Sequence, residues 1–275
     1  MQDLGFIPKR EKKMNALYLP VAVKNTGLSL NDILPKLGNA KIKLLYYSRV
    51  STLYRQLGVG EFLMSNDPQL LFERLYGSAC AFIHFLNHAE ESEKATSLAS
   101  PFFDAIACGF DDGARQLAAL SPTSVNSHKE YEEEFFYVRL LMDYFYLDED
   151  EANINAMLRE YKILHNQNPD IHYPLVNALI NKKQKEFDEA LVDCLYQRES
   201  QYSHNDDPYS NNADEAAILA HLSVEVLAWL RLAEQQGLKT DSEYFLAPGS
   251  ARVRKKTAFA DPDGWRTLPS FSSFA

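Results

Sequence analysis

Two histidines one helical turn apart come closest, of all residues in this chain, to the spacing of a metal site. His84 and His88 stand in the segment HFLNH, and two imidazoles at this spacing can share a cation. The segment is not HExxH, so it lacks the glutamate that serves as general base in zinc proteases. Glu73 and Glu91 would become ligands only if the fold brought them close. The pattern favours two histidines at the edge of a packed helix, with a helical metal-dependent enzyme as an alternative.

The three cysteines are far apart and form no CxxC pair. Cys80 and Cys194 fall on apolar faces of predicted helices, where cysteine behaves as a small hydrophobic residue. Cys108 precedes Gly109 near a predicted turn and is expected to be the most accessible, but no histidine neighbours it in sequence to activate a thiolate. An odd number of separated cysteines argues against a disulfide framework and fits a reducing compartment.

Carboxylates are abundant in the segments EYEEE, DEDE and FDDG. General acid–base catalysis needs a pocket that moves the pKa values of two such groups apart, and these clusters are predicted to be exposed. The chain also contains no GxxxxGK[ST] phosphate loop, no GxGxxG and no GxSxG motif. We therefore expect a protein that is not an enzyme and that holds no cofactor and no metal.

The charge of the chain is negative and unevenly distributed. The formal net charge is −10 and the pI is about 5.2, which is poorly suited to binding nucleic-acid phosphates. Basic residues outnumber acidic ones up to Gly60, whereas acids dominate from Lys129 to Glu160. Such an asymmetry can steer association with a charged protein partner.

Neither a secretory signal nor a membrane helix is expected. The N-terminal segment carries charged residues and no long apolar run. The longest uncharged apolar stretch, LYGSACAFIHFLNHA, is shorter than the roughly 20 residues that a membrane helix needs. We expect a cytoplasmic protein with no membrane partner.

Leucine and alanine recur at spacings of three and four residues, which predicts an all-α fold. We expect antiparallel helical hairpins packed as a bundle or a short solenoid that is tetratricopeptide-like. The predicted division is an irregular basic segment over 1–27, a single all-α domain over 28–245 and an irregular tail over 246–275. Within the tail, Trp265, Leu268 and Phe271 are expected to attach the chain to the domain.

Capping and helix-breaking residues predict where individual helices begin and end. The first helix is expected to open at Ser29 or Asn31, and a second to cover 40–57 and to end at Gly58 and Gly60. One long helix is expected over 213–236, ended by Gly237. The remaining expected starts are Asn66 or Asp67 with Pro68, Ser100 with Pro101, Ser127 with Glu130 as a capping box, and Asp148 with Glu151.

Each acidic cluster lies at a predicted helix N-terminus, where a carboxylate interacts with the helix dipole by about 0.3–1 kcal/mol. This accounts for one or two acids per helix but not for three or four in a row. A solvated surface remains one interpretation of the surplus. The other is a protein interface, because aromatic residues interleave the acids and such anchors within a charged rim are typical of interfaces. The candidate partner-binding residues are Asp111, Asp112, Glu130, Glu132, Glu133, Glu134, Asp148, Glu149 and Asp150.

Three helical blocks in order resemble the immunity protein 49 family of bacterial polymorphic-toxin systems. The blocks are FFDAIACGFDDGARQLAALSP, EYEEEFFYVRLL and YPLVNALINKKQKEFDEAL, and the resemblance covers about 70–195. It implies an all-α protein made beside a secreted toxin, which binds the toxin domain and protects the producing cell. The family contributes no catalytic residues and does not identify the toxin.

The acidity of the chain adds an expectation about that partner. Nuclease toxin domains tend to be basic because they bind nucleic-acid phosphates. An acidic inhibitor would associate with them rapidly because the opposite charges attract. We therefore expect a basic nuclease domain as the partner. The alternative interpretation is a helical-repeat adaptor that has no toxin partner.

Overall fold

The computed structural model describes residues 17–37, 43–203, 213–253 and 261–268. Within these ranges the chain forms eleven α-helices and no β-strand, so the predicted all-α class is confirmed. The helices are α1 (Leu19–Leu37), α2 (Leu44–Ser65), α3 (Pro68–His88), α4 (Pro101–Cys108), α5 (Asp111–Leu120), α6 (Glu132–Tyr146), α7 (Glu151–Gln167), α8 (His172–Ile180), α9 (Gln184–Ser203), α10 (Ala213–Leu219) and α11 (Val224–Gln235).

Consecutive helices pack as antiparallel hairpins around one hydrophobic core. The pairs α2–α3, α6–α7 and α8–α9 are neighbours in sequence and in space. Two C-terminal helices then return to the N-terminal half, because α10 packs on α1 and α11 packs on α4. The array is therefore closed by contacts between distant parts of the chain and does not continue as an open solenoid.

The first helix begins earlier than predicted. The structure has α1 from Leu19, not from Ser29 or Asn31, with Pro20 in its first turn where a missing N–H costs nothing. The predicted irregular segment 1–27 thus overlaps a helix whose Ala22, Val23 and Thr26 are buried, while residues 1–16 lie outside the described ranges.

The second helix runs on past the two glycines that were expected to end it. Both Gly58 and Gly60 lie inside α2 and are buried. A Cβ on Gly60 would lie 2.4 Å from Val23 Cγ2, and one on Gly58 would lie 2.8 Å from Arg74 Cβ. These glycines therefore allow α1 and α3 to approach α2 closely, and the helix end is made by Asn66 in the left-handed conformation.

The cap predictions have mixed outcomes. The cap of α3 is confirmed, since Asp67 accepts a hydrogen bond from Gln69 N and Pro68 follows. Ser100 precedes α4 without a side-chain cap, and its hydroxyl accepts a hydrogen bond from Arg55 Nη2 at 3.1 Å. The predicted boundary at Gly109 is confirmed by its positive φ of 83° between α4 and α5.

Two other cap predictions are wrong. The residues after Ser127 form turns, and α6 begins at Glu132 with Tyr131 as the preceding residue. Asp150, and not Asp148, caps α7 by accepting hydrogen bonds from the backbone N–H groups of Ala152 and Asn153.

The predicted long helix over 213–236 is two helices. It breaks after Leu219 and restarts at Val224, where Ser223 accepts a hydrogen bond from Val226 N, and it ends before Gly237 with a φ of 81°. By length and composition, Ala213–Gln235 could cross a membrane, although it contains charged residues. Its most apolar window is 67% buried inside the protein, which is the pattern of a core helix.

The C-terminal tail packs against the helical domain through Trp265, as predicted. Trp265 is 4% exposed and packs against Tyr47 and His84, and its carbonyl accepts a hydrogen bond from the Tyr54 hydroxyl. Leu268 is partly buried against the core, and Phe271 lies outside the described residues.

Candidate functional site

Eight of the nine candidate acidic residues lie in three separate places, and Glu130 is described separately below. Glu132, Glu133 and Glu134 form the first turn of α6, and 148–150 follow the other end of the same helix. A helix of 15 residues is about 22 Å long, so these two groups are far apart. Asp111 and Asp112 stand in the first turn of α5.

An open groove of about 510 Å³ lies beside the first turn of α6. It is formed by α6, by the C-terminal half of α7 and by the segment that joins α5 to α6. The lining side chains are mostly apolar, with one carboxylate from each helix. They are Thr123, Val125, Glu132, Phe135, Phe136, Met157, Glu160, Ile163 and Leu164. We call this feature the α6–α7 groove.

Apolar side chains line most of the α6–α7 groove. Phe135 is 5% exposed, whereas Ile163 is 56% exposed. Phe136 stacks on Tyr161, with ring centroids 6.1 Å apart, which holds α6 against α7. An exposed apolar surface of this kind, next to carboxylates, is typical of a place where another molecule binds.

The acids at the groove are not neutralised by neighbours. Glu132 and Glu160 make no ion pair with any residue in the described ranges, and no Lys or Arg lines the groove. Glu134 is partly engaged, since its carboxylate accepts a hydrogen bond from Tyr131 N at 3.4 Å. The groove therefore combines an apolar interior with unpaired negative charge.

Glu130 differs from the three glutamates that follow Tyr131. It is 7% exposed, and its carboxylate oxygens accept hydrogen bonds from Ser97 N at 2.7 Å and Asn126 N at 3.0 Å. This carboxylate therefore ties two loops together and is not available at the surface. Of the candidate residues it is the one that is buried.

The acids between α6 and α7 serve mainly local structure. Besides capping α7, Asp150 accepts a hydrogen bond from Asn153 Nδ2 at 2.8 Å, and Glu149 accepts another from the same amide. Asp148 has a φ of 52° and lies 3.5 Å from Arg115 Nη1, with both side chains exposed. Exposed pairs of this kind contribute little to stability.

The two acids of α5 also differ from each other. Asp111 accepts hydrogen bonds from Arg231 Nη2 at 3.1 and 2.9 Å, which joins α5 to α11. Asp112 is exposed in the same first turn. The structure thus leaves Asp112 free of the ion pair that holds Asp111.

His84 and His88 are packed together, with ring centroids 4.2 Å apart. His88 Nδ1 lies 2.8 Å from the His84 carbonyl, and His84 Nδ1 lies 3.3 Å from Arg266 Nη2. Burial and the nearby Arg266 charge lower the pKa of His84. Among the described residues no group of three or more His, Cys, Asp or Glu side chains is placed to hold a metal ion.

All three cysteines are buried, including Cys108, which we expected to be accessible. Burial raises the pKa of Cys80 to about 11, and it also raises the pKa of Cys108 and of Cys194. Since the thiolate is the reactive form, these side chains are part of the core and are poor nucleophiles.

A polar cluster that the sequence does not predict lies among α6, α8 and α11. The Tyr137 hydroxyl donates to Glu225 Oε1 at 2.6 Å and accepts from Trp229 Nε1 at 2.8 Å. His172 stacks on Tyr137 at 4.2 Å and pairs with Asp170 at 3.1 Å. Burial and the nearby Glu225 carboxylate raise the pKa of Tyr137 well above its usual value. These groups satisfy one another and hold the three helices together.

Sequence reasoning also missed the α7 side of the groove. The core face of α7 contains Ile154, Leu158 and Tyr161, which repeat at helical spacing. Ile163 lies off that face and is nevertheless apolar. An apolar residue outside the core stripe of an otherwise polar helix is the signal that points to this surface.

Comparison with protein families places the chain in a known family. A family model described as immunity protein 49 matches residues 62–251, which is more than half of the 275 residues. Every residue that lines the α6–α7 groove falls inside the matched range. Neither the curated proteins nor the solved structures include a significant match.

Proposed function

We propose that this chain, which belongs to the immunity protein 49 family, binds a cognate toxin domain and neutralises it in the cell that makes both. The chain acts by direct protein–protein contact and not by catalysis. Its working location is the cytoplasm, and its partner is a protein rather than a nucleic acid or a membrane.

The α6–α7 groove is the observation that supports a binding function most directly. It joins apolar side chains, of which Ile163 is 56% exposed, to carboxylates that make no ion pair among the described residues, and this composition is typical of a protein interface. The surface consists of the first turn of α6, with Glu132, Glu133 and Glu134, together with the groove. Asp112 and 148–150 lie further away and would be reached only at the edges of a large interface.

The partner is a basic toxin domain, and a nuclease fits this description best. A domain that cuts nucleic acid carries basic surface to hold phosphates. The net charge of −10 and the acids at the groove complement such a surface, and complementary charge speeds association. Speed matters to an inhibitor that must bind before the toxin acts.

Co-expression tests the proposal. The C-terminal toxin domain encoded beside the gene for this chain is induced in a bacterium with and without the chain, and a tag on the toxin domain is used to isolate a complex. We expect growth arrest by the toxin domain alone, rescue by the chain and a stable complex. Cleavage of DNA or RNA by the purified toxin domain tests the nuclease part separately.

Three results would contradict the proposal. Toxicity without rescue or complex would mean that the chain does not neutralise this toxin domain. No toxicity at all would favour the helical-repeat adaptor. Stoichiometric zinc, iron or manganese in the purified protein would favour the alternative hypothesis of a metal-dependent enzyme that uses His84 and His88.

A further inference from the structure

The size of the α6–α7 groove limits what can occupy it. Its residues on α7 extend from Met157 to Leu164, which is about 10 Å along a helix axis. This length suits one or two large side chains and is too short for a long helix laid along the groove. An occupant of this size is an anchor within a larger interface.

We propose that the α6–α7 groove receives a short segment of the toxin domain that places one or two large apolar side chains, aromatic or long aliphatic, between flanking arginine or lysine residues. The inference rests on the proposed function, because it names the part of the chain that contacts the toxin domain and the chemistry of the contact.

The apolar part of the segment is required by the groove interior. Phe136 packs against the core and Phe135 is 5% exposed, so this part of the groove is preformed and little ordering is needed on binding. Ile163 is 56% exposed at the edge of this surface, and an inserted side chain would cover it. Buried apolar anchors of this kind dominate the energy of many protein interfaces.

The basic part of the segment is required by the groove rim. Glu132 projects from α6 and Glu160 from α7, so carboxylates of both helices border the apolar interior. Neither has an ion pair within the described parts of the chain, and Glu133 and Glu134 add negative charge at the same helix end. Arginine suits such a rim because its planar head can bond a carboxylate at two points.

Other acidic groups on the chain fit this role less well. Asp150 and Glu149 are engaged in the cap of α7, and Asp111 is paired with Arg231. None of these three residues lines the α6–α7 groove. The observations therefore select the groove end of α6.

Two variants remove the two parts of the contact separately. Ile163→Asp places a charge at the apolar edge, and Glu132→Lys with Glu160→Lys reverses the rim. Each has a matched control elsewhere. Leu28→Asp alters another exposed helical residue, 52% exposed on α1. Glu186→Lys with Asp193→Lys alters one first-turn acid and one later acid of α9, both exposed.

Binding of the adjacent-gene toxin domain is measured by surface plasmon resonance, with thermal melts to check folding. We expect Ile163→Asp to raise the dissociation rate, and the rim variant to lower the association rate, each by about tenfold or more. Both controls should bind like wild type. A milder rim variant, Glu132→Gln with Glu160→Gln, gives a smaller change in the same direction and serves if the reversed rim does not fold.

The outcomes separate this inference from the proposed function. If the wild type binds the toxin domain and the groove variants bind it equally tightly, the groove assignment is wrong. The proposed immunity function would then still hold. A wild type that neither binds nor rescues would overturn both. Self-association that is abolished by Ile163→Asp, measured by light scattering, would identify a second copy of this chain as the occupant and overturn the assignment.

Discussion

At the scale of single residues, the side chains of this protein show how burial decides the role of a charge. Glu130 and Glu132 are two positions apart and look alike in the sequence. One is buried and bonds two backbone N–H groups, while the other borders an open groove. The sequence predicts that acids gather near the start of α6, but it cannot predict which of them the loops will enclose, because that depends on the distant segment at Ser97.

The pair of His172 and Asp170 should make stability depend on pH. Burial alone would lower the pKa of His172, but the hydrogen bond to Asp170 and the Glu225 charge outweigh it and raise this pKa. Burial would raise the pKa of Asp170, yet hydrogen bonds from His172 and Tyr161 lower it. The His172 contribution is therefore complete below about pH 6.5 and is lost as pH rises through its folded pKa. The Asp170 contribution is present above about pH 4 and is lost as pH falls.

We expect His172→Gln to reduce the free energy of unfolding most between about pH 4.5 and 6. The loss there should be about 1–2 kcal/mol, as for a hydrogen bond between charged groups, and it should be smaller at pH 8.5. Urea denaturation of wild type and variant at both pH values measures this difference. Arg198, which lies 3.9 Å from Glu225, opposes His172 protonation, so an equal loss at both pH values would mean that the histidine stays neutral.

At the scale of helices, close contacts depend on small residues and on buried ion pairs. The sequence predicts α3 well because Asp67, Pro68 and a regular apolar stripe all agree. It predicts the end of α2 wrongly, because a glycine in the sequence is interpreted as a helix breaker. The sequence does not distinguish a glycine that ends a helix from one that lets a neighbouring helix pack closely. Only the position of Val23 against Gly60 distinguishes the two roles, and that contact involves another helix.

We expect Gly60→Ala to destabilise the protein although alanine favours helix formation by about 1 kcal/mol. The added Cβ would lie 2.4 Å from Val23 Cγ2, so the Val23 side chain or α1 must shift, at a cost of about 1–3 kcal/mol for overpacking. Val23→Ala removes the clashing methyl group. In a double-mutant cycle followed by urea denaturation, the two changes together should cost less than their sum. Additive costs would show that Val23 does not limit this contact.

Glu61 and Arg74 form a buried ion pair that joins α2 to α3. Their side chains are 1% and 6% exposed, and Arg74 Nε lies 2.8 Å from Glu61 Oε2. We expect Arg74→Met to cost about 3–5 kcal/mol, because it leaves the Glu61 carboxylate buried without a partner. Glu61→Leu with Arg74→Met removes both charges and should restore part of this loss. A double variant that is less stable than Arg74→Met would mean that the pair itself stabilises the fold.

At the scale of the whole molecule, the closure of the helical array could not be predicted. Helical periodicity is a local signal, and it supports hairpins such as α8–α9, whose helices are joined by a short turn. The packing of α10 on α1 and of α11 on α4 joins segments that are far apart in sequence. Such long-range contacts produce no periodic pattern in the amino-acid sequence from which they could be predicted. The same holds for the α6–α7 groove. Its α6 side, with acids beside aromatic residues, could be predicted, whereas its α7 side could not.

The distribution of charge over the whole chain leads to a prediction about salt. If the partner is basic, long-range attraction to a chain of net charge −10 should speed association, and salt should screen this attraction. We expect the association rate constant with the toxin domain to fall about tenfold or more between 50 and 500 mM NaCl, while the dissociation rate changes little.

Neutralising the first turn of α6, with Glu132→Gln, Glu133→Gln and Glu134→Gln together, should slow association at low salt and flatten the salt dependence. Stopped-flow mixing measures both rates, and a variant that neutralises Glu186 and Asp193 on α9 serves as a control. An association rate that does not respond to salt would exclude a basic partner surface and with it the charge argument for a nuclease.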